Sequence, residues 1–150
     1  MNVFVFVTVI FTITILYSLY RDSTYVWYFA YGINTNNDHF LQRMPRAENQ
    51  RIACLENYRF RWYQHADIEP KEKSKVFGVL WRIPAEDMQV LDEYEEDYER
   101  TTVTVITNRC IRAETYFMKN KEEKKPKKNY VKLVREGYRE NGVPIRQLKK

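Results

Sequence analysis

An uncharged opening segment is the feature that most restricts how this chain can fold. Residues 1–20 contain no Asp, Glu, Lys, Arg or His, and Arg21 is the first charged residue. The stretch from Val3 to Leu19 reads VFVFVTVIFTITILYSL, which is too long and too apolar for one strand of a soluble domain. A signal peptide, a membrane-spanning helix and a buried hairpin are the three interpretations. The hairpin is the least favoured, because no turn residues interrupt the run.

The distance to the next predicted strand separates the first two interpretations. That strand begins near Tyr25, so an uncleaved anchor would leave only residues 21–24 as a linker. At about 3.3 Å per residue, so short a linker would hold the domain against the lipid headgroups. We therefore expect residues 1–20 to be a signal peptide that is cleaved from a secreted protein. The alternative is a protein anchored through residues 1–20, and only in that case do we expect a membrane partner.

The rest of the chain, residues 25–148, has the composition of one folded domain. The whole sequence has 150 residues, of which 44% are hydrophobic and 15% aromatic, enough to bury a core. Its net charge of +5 is a mild excess and does not indicate a nucleic-acid partner. A lysine-rich stretch, residues 119–128, is interrupted by Glu122 and Glu123, which favours a solvated loop. Binding of this stretch to anionic lipid is the alternative.

The cysteines and histidines do not form a metal-binding pattern. Cys54, Cys110, His39 and His65 stand at unrelated spacings, so we predict no metal site. In a secreted chain the two cysteines could form a disulfide, whereas in the cytosol they would more often be two buried thiols.

The order of apolar runs and turn residues predicts an α+β domain. The pattern favours a curved mixed β-sheet or small barrel of about six strands with three or four flanking helices. Residues 51–63 are interpreted as a strand pair or as one long strand bent around Asn57, and residues 71–75 as a charged loop. The other predicted strands are residues 25–31, 76–83, 100–107 and 112–118, and the helices are residues 39–44, 84–98 and 130–138.

Two places in this order could carry chemistry. Gly32 ends the first strand just before a run of helix-capping residues, and successive backbone N–H groups at such a junction can bind an anion. In the acidic segment 92–99, helical spacing places Glu95 on the same side as Met88 and Leu91. An inward carboxylate loses solvation, so its pKa rises and it becomes suited to act as a general base. A plain tight turn and a solvated helix face are the alternatives for these two features.

Five motifs in a fixed order resemble the γ-glutamylcyclotransferase family. The first, YFAYGIN, is similar to the family's YFAYGSN, and the five together span about residues 26–146. The motifs are YFAYGIN (28–34), LENYRFRW (55–62), VFGVLW (76–81), PAEDMQVLDEYE (84–95) and NYVKLVREGYRENGVP (129–144).

The resemblance implies a reaction and a set of site residues. Family enzymes cyclise a γ-glutamyl group to 5-oxoproline and release the attached amino acid or amine, without a metal or an organic cofactor. The residue that matches the family's catalytic acid/base is Glu95. Substrate binding is implied for the opening segment, mainly through the backbone around Gly32 and Ile33, and for Tyr130. The residues implied in binding are Tyr28, Phe29, Ala30, Tyr31, Gly32, Ile33, Asn34 and Tyr130.

Two positions depart from the family pattern. Ile33 stands where the family has a serine, and Glu96 stands where a glycine follows the catalytic glutamate. Loss of the hydroxyl and a branched side chain in the pocket could alter specificity or reduce turnover. We therefore expect an enzyme acting on a small γ-glutamyl substrate. The alternative is a weak or inactive secreted relative that acts as a binding or toxin-like protein. The sequence leaves open a homodimer.

Overall fold

The computed structural model describes residues 3–149, with side-chain surroundings for residues 7–17 and 24–149. Five strands close into a barrel in the order β1-β3-β2-β4-β5. The strands are β1 (Tyr25–Ala30), β2 (Glu48–Trp62), β3 (Ala66–Pro84), β4 (Tyr98–Ile106) and β5 (Cys110–Met118). The helices are α1 (Val3–Ser23), α2 (Asn37–Arg43), α3 (Met88–Tyr94) and α4 (Lys128–Asn141), with short 3-10 turns at Ile33–Thr35, Ala85–Asp87 and Ile145–Lys149. The α+β class and the small barrel are confirmed.

The predicted count of about six strands is close to the five observed. Residues 51–62 belong to one long strand bent at Asn57, the second of the two interpretations given above, and not to a strand pair. Strand β2 is continuous through Asn57, whose φ of 61° lies in the left-handed region beside a shift in strand register. Residues 71–75, predicted as a loop, belong to β3. Lys73 there has a φ of 59°, and its backbone N–H donates to the Asn57 side chain over 3.2 Å. Irregularities in the hairpin thus bend the two strands without ending them.

Strand β1 closes the barrel by pairing with β3 on one side and β5 on the other. It pairs antiparallel with β3 over its whole length and parallel with β5 through Tyr28 and Glu114. Its second half is buried on both sides, as its aromatic and apolar sequence predicts. The largest fully buried side chains of the core are Trp81, Tyr138, Phe29, Phe40, Met44 and Ile68.

Helix α4 packs on the turn that follows β1, and a glycine allows the close approach. A Cβ atom on Gly137 would lie 2.4 Å from the backbone nitrogen of Asn36 and 2.6 Å from the carbonyl carbon of Thr35. No side chain fits in that gap. The helix ends at Gly142, whose φ of 70° is the left-handed conformation of a helix C-cap. The contact fixes the turn after β1 against α4.

The opening segment is helical, so the hairpin interpretation does not hold. Helix α1 exposes apolar side chains, among them Val7, Phe11 and Leu16. Within the described part of the chain, no helix is long and apolar enough to cross a membrane. Cleavage of residues 1–20 stays a prediction.

The two cysteines are free and lie two strands apart. Cys54 and Cys110 both pair with Ile106, one from each side. Two strand spacings put their Cα atoms ~10 Å apart, beyond the reach of a disulfide without backbone movement.

Candidate active site

A small cavity opens at the end of β1, where the turn, β3, α3 and α4 converge. Its volume is about 40 Å³. Half of its lining residues are tyrosines, and one is a carboxylate. The lining residues are Tyr28, Tyr31, Gly32, Ile33, Asn34, Ala66, Glu95, Tyr98, Tyr116 and Tyr130. We call this the inner cavity.

The turn from Tyr31 to Thr35 is held rigidly by hydrogen bonds to its carbonyl groups. Tyr138 donates to the carbonyl of Tyr31 over 2.6 Å, and the indole N–H of Trp81 donates to that of Asn34 over 3.0 Å. The carbonyl of Gly32 accepts from both the backbone N–H and the hydroxyl of Thr35. No described residue accepts a hydrogen bond from the N–H of Gly32. Hydrogen bonds to its carbonyl groups therefore fix the turn, while the N–H of Gly32 stays without an acceptor among the described residues.

Close packing explains why a glycine follows Tyr31. A Cβ atom on Gly32 would lie 3.1 Å from the Cβ of Ala66 and 3.4 Å from the hydroxyl of Tyr130. Both contacts are with residues of the cavity wall. A larger residue would therefore press against the cavity wall.

Glu95 enters the cavity at the end of α3. Met88 and Leu91 are buried on the same helix, and Glu95 follows the last helical residue as its C-cap. Its Oε1 accepts a hydrogen bond of 2.7 Å from the side-chain amide of Asn34. Burial raises the pKa of the Glu95 carboxyl, while the Asn34 hydrogen bond and the charge of Arg43 lower it in part. The helical spacing therefore placed the side chain correctly, although the helix itself is shorter than predicted.

Asn34 connects three groups of the site. The same amide nitrogen donates to the hydroxyl of Tyr28 over 2.8 Å, and the amide oxygen accepts from the guanidinium of Arg43 over 2.5 Å. Because both ends of the amide are engaged, its orientation toward Glu95 is fixed. Arg43 therefore orients Asn34, in addition to lowering the pKa of Glu95 by its charge.

Tyr130 faces the turn from α4. Its hydroxyl oxygen accepts a hydrogen bond of 3.1 Å from the backbone N–H of Ala66. Burial raises the pKa of this phenol, and hydrogen bonds from the backbone of Ala66 and Ile33 lower it in part. The phenol stays protonated, so its O–H can donate to a ligand.

Most of the predicted site residues meet at this cavity, and two of them do not line it. Phe29 is fully buried, and its carbonyl accepts from the Thr115 hydroxyl over 2.8 Å. Ala30 pairs with Val79 in the sheet. Both residues contribute core packing behind the site.

Sequence reasoning missed three lining residues and Arg43. Ala66 and Tyr98 are linked by a hydrogen bond of 2.9 Å from the Tyr98 hydroxyl to the Ala66 carbonyl, and the Tyr116 hydroxyl donates to Asp92 over 2.7 Å. These residues come from strands β3, β4 and β5. Their side chains meet only when the barrel closes, so no local pattern marks them. Arg43 is the last residue of α2, nine positions after Asn34, and no local pattern connects the two.

Metal-binding clusters are not found among the described residues. No group of three or more His, Cys, Asp or Glu side chains there is arranged to hold a metal ion.

The fold and this site define a class of protein, and comparisons with known proteins agree with it. Residues 75–150 match the model of the AIG2-like family. A γ-glutamylcyclotransferase of Mus musculus is 30% identical over 135 residues, covering 78% of this chain and 72% of that protein. A Bos taurus protein of the same name is 28% identical over 148 residues, covering 87% of this chain and 79% of that protein.

A solved γ-glutamyl cyclotransferase structure superimposes with a TM-score of 0.76 at 28% identity, covering 83% of this chain and 85% of that one. The chain therefore belongs to the AIG2-like, γ-glutamylcyclotransferase family.

Proposed function

We propose that this protein is an enzyme that converts a γ-glutamyl compound to 5-oxoproline and releases an amino acid or amine. The observation that carries the proposal is Glu95, an enclosed carboxylate held by Asn34 across the cavity from the Gly32 turn. The γ-glutamylcyclotransferases of mouse and cow support the same reaction.

The reaction needs a base near the substrate amine. The α-ammonium of a γ-glutamyl group is not nucleophilic until it loses a proton, and Glu95 accepts that proton. Burial raises the pKa of Glu95 toward neutral pH, and this makes its carboxylate a stronger base. The freed amine nitrogen then attacks the γ-carbonyl carbon of the same molecule, forming the ring C–N bond.

Ring closure is assisted by position and by hydrogen-bond donors. One rotamer of the tethered amine brings it to its own carbonyl, so holding that rotamer supplies the entropic advantage. The N–H of Gly32 and the hydroxyl of Tyr130 donate to the carboxylate or to the developing oxyanion. Glu95 then returns its proton to the leaving nitrogen as the original amide C–N bond breaks. It also passes the second proton of the ring nitrogen to the released amine, which leaves as an ammonium while Glu95 returns to its carboxylate form.

Ile33 favours a second candidate, a non-catalytic relative that keeps the fold as a binding or toxin-like protein. Its side chain is partly exposed and lines the inner cavity where the family has serine. A branched side chain there restricts the space for a substrate.

One measurement distinguishes the two candidate functions. Purified protein is incubated with a panel of γ-glutamyl amino acids and γ-glutamyl amines, and 5-oxoproline is quantified by mass spectrometry. Enzyme-dependent release from at least one compound supports catalysis. Binding of a γ-glutamyl compound without release, followed by release from an Ile33→Ser variant, supports the non-catalytic candidate.

A further inference from the structure

A second cavity adjoins the inner one and opens toward the surface. It has a volume of about 150 Å³. Four residues are common to both cavities: Ile33, Glu95, Tyr98 and Tyr130. The outer cavity is completed by Arg43, His65, Tyr94 and Asp97. A substrate whose γ-carbonyl lies beside Glu95 would extend its other half into this space.

Arg43 is the cation of the outer cavity and has no carboxylate partner. It is partly buried, its guanidinium donates to Asn34, and its carbon lies 5.0 Å from the centre of the Tyr94 ring. No Asp or Glu of the described residues lies within 4.0 Å of it. Its neighbour Arg46, by contrast, is paired with Glu86 and Asp87. A guanidinium has five N–H donors. One of those of Arg43 donates to Asn34 and the buried Nε has no partner among the described residues, so the other terminal N–H groups remain for a ligand.

The other charges of the outer cavity suit the amine end of a leaving group. Glu95 and Asp97 are the carboxylates that line it. A released amino acid would carry its new ammonium group beside Glu95, which has just given up a proton, and its carboxylate on the side of Arg43. Opposite charges in this order favour a zwitterion over a neutral amine.

We propose that the outer cavity is the leaving-group subsite and that Arg43 makes it selective for a leaving group with a free carboxylate. This inference rests on the proposed function. The Arg43 guanidinium binds the carboxylate, and the Tyr94 ring covers one face of the guanidinium. Arg43 therefore has two roles: it orients Asn34, and it binds the carboxylate of the leaving group.

Two nearly isosteric substrates separate these roles. γ-Glutamyl-alanine and γ-glutamyl-alaninamide differ in the charge of one group. A charged hydrogen-bonded contact predicts that kcat/KM of the native protein favours the acid by about tenfold to a hundredfold. Arg43→Met should bring this ratio close to one, Arg43→Lys should leave an intermediate ratio, and the control Arg46→Met should leave it unchanged. The intrinsic reactivities of the two substrates cancel when the ratios are compared.

Each result decides the inference. A collapse of the ratio in Arg43→Met supports it, whatever the overall activity of the variant. An equal loss with both substrates would mean that Arg43 acts only through Asn34, and this overturns the subsite while the proposed function stands. With the native protein, product only from γ-glutamyl amines of the panel overturns the subsite alone, and product from no compound of the panel overturns both.

Discussion

The side-chain amide of Asn34 donates a 2.7 Å hydrogen bond to the carboxylate of Glu95, joining the turn after β1 to the end of α3. The two residues are 61 positions apart in the sequence. One amide therefore links the segment proposed to bind the substrate with the group proposed to move its proton.

Removal of this hydrogen bond should change the pH dependence of activity. In Asn34→Ala, the burial that raises the pKa of Glu95 persists, while the hydrogen bond that lowers it is lost. Glu95 must be deprotonated to act as a base, so the acid limb of kcat/KM should move to higher pH. Steady-state kinetics across pH measure the shift. A limb that stays in place while the rate falls would show that Asn34 does not tune Glu95.

Glu95 should also reduce stability at neutral pH. Because burial raises its pKa in the folded state, the folded protein binds a proton more tightly than the unfolded chain. Its stabilising contribution is complete below the unfolded pKa and is lost as pH rises through the folded pKa. Glu95→Gln should therefore have a higher free energy of unfolding than the native protein at pH 7, and the difference should shrink in acid. Urea unfolding at several pH values tests this, and a variant less stable at pH 7 would contradict it.

Tyr130→Phe should affect both stability and turnover. The substitution removes the acceptor of the Ala66 N–H, and an unsatisfied buried donor costs about 1–3 kcal/mol. It also removes a donor to the substrate. Denaturant unfolding and product release measure the two effects. Tyr58→Phe is the control, since this tyrosine is only partly buried and lines neither cavity. Native turnover in Tyr130→Phe would exclude a role for the hydroxyl.

Gly137→Ala should loosen the site from a distance. The new methyl group would meet the backbone of Asn36 at 2.4 Å, so helix α4 and the turn must separate. Overpacking of this kind costs about 1–3 kcal/mol. Thermal unfolding measures the loss, and the exposed Lys132→Ala on the same helix should be close to neutral. A native melting temperature in Gly137→Ala would mean that the close contact does not matter to the fold.

Local patterns predicted the parts of this protein that depend on neighbours in sequence. The aromatic strand before Gly32 and the stripe of Met88, Leu91 and Glu95 were read correctly, because burial follows the period of a strand or helix. In the hairpin of β2 and β3, the prediction of a loop at residues 71–75 was wrong. Charged residues in an exposed, bulged part of β3 resemble a loop, and only pairing with β2 makes them a strand.

Contacts made by barrel closure could not be read from the sequence. Tyr98 and Tyr116 reach the cavity from two paired strands, and Ala66 from a third. Arg43 is connected to the site by its hydrogen bond to Asn34. This contact depends on how α2 packs after the turn. These contacts are tertiary, and the spacing of residues along the sequence does not predict them.

The central claim is that Glu95 moves the proton in ring closure, and its most direct test is 5-oxoproline release by Glu95→Gln beside Glu93→Gln. Both variants remove one carboxylate from the same segment, but Glu93 is exposed. Loss of a general base predicts a fall of about 10²–10⁴-fold in Glu95→Gln and native release in Glu93→Gln. Native release in a folded Glu95→Gln variant would contradict the mechanism.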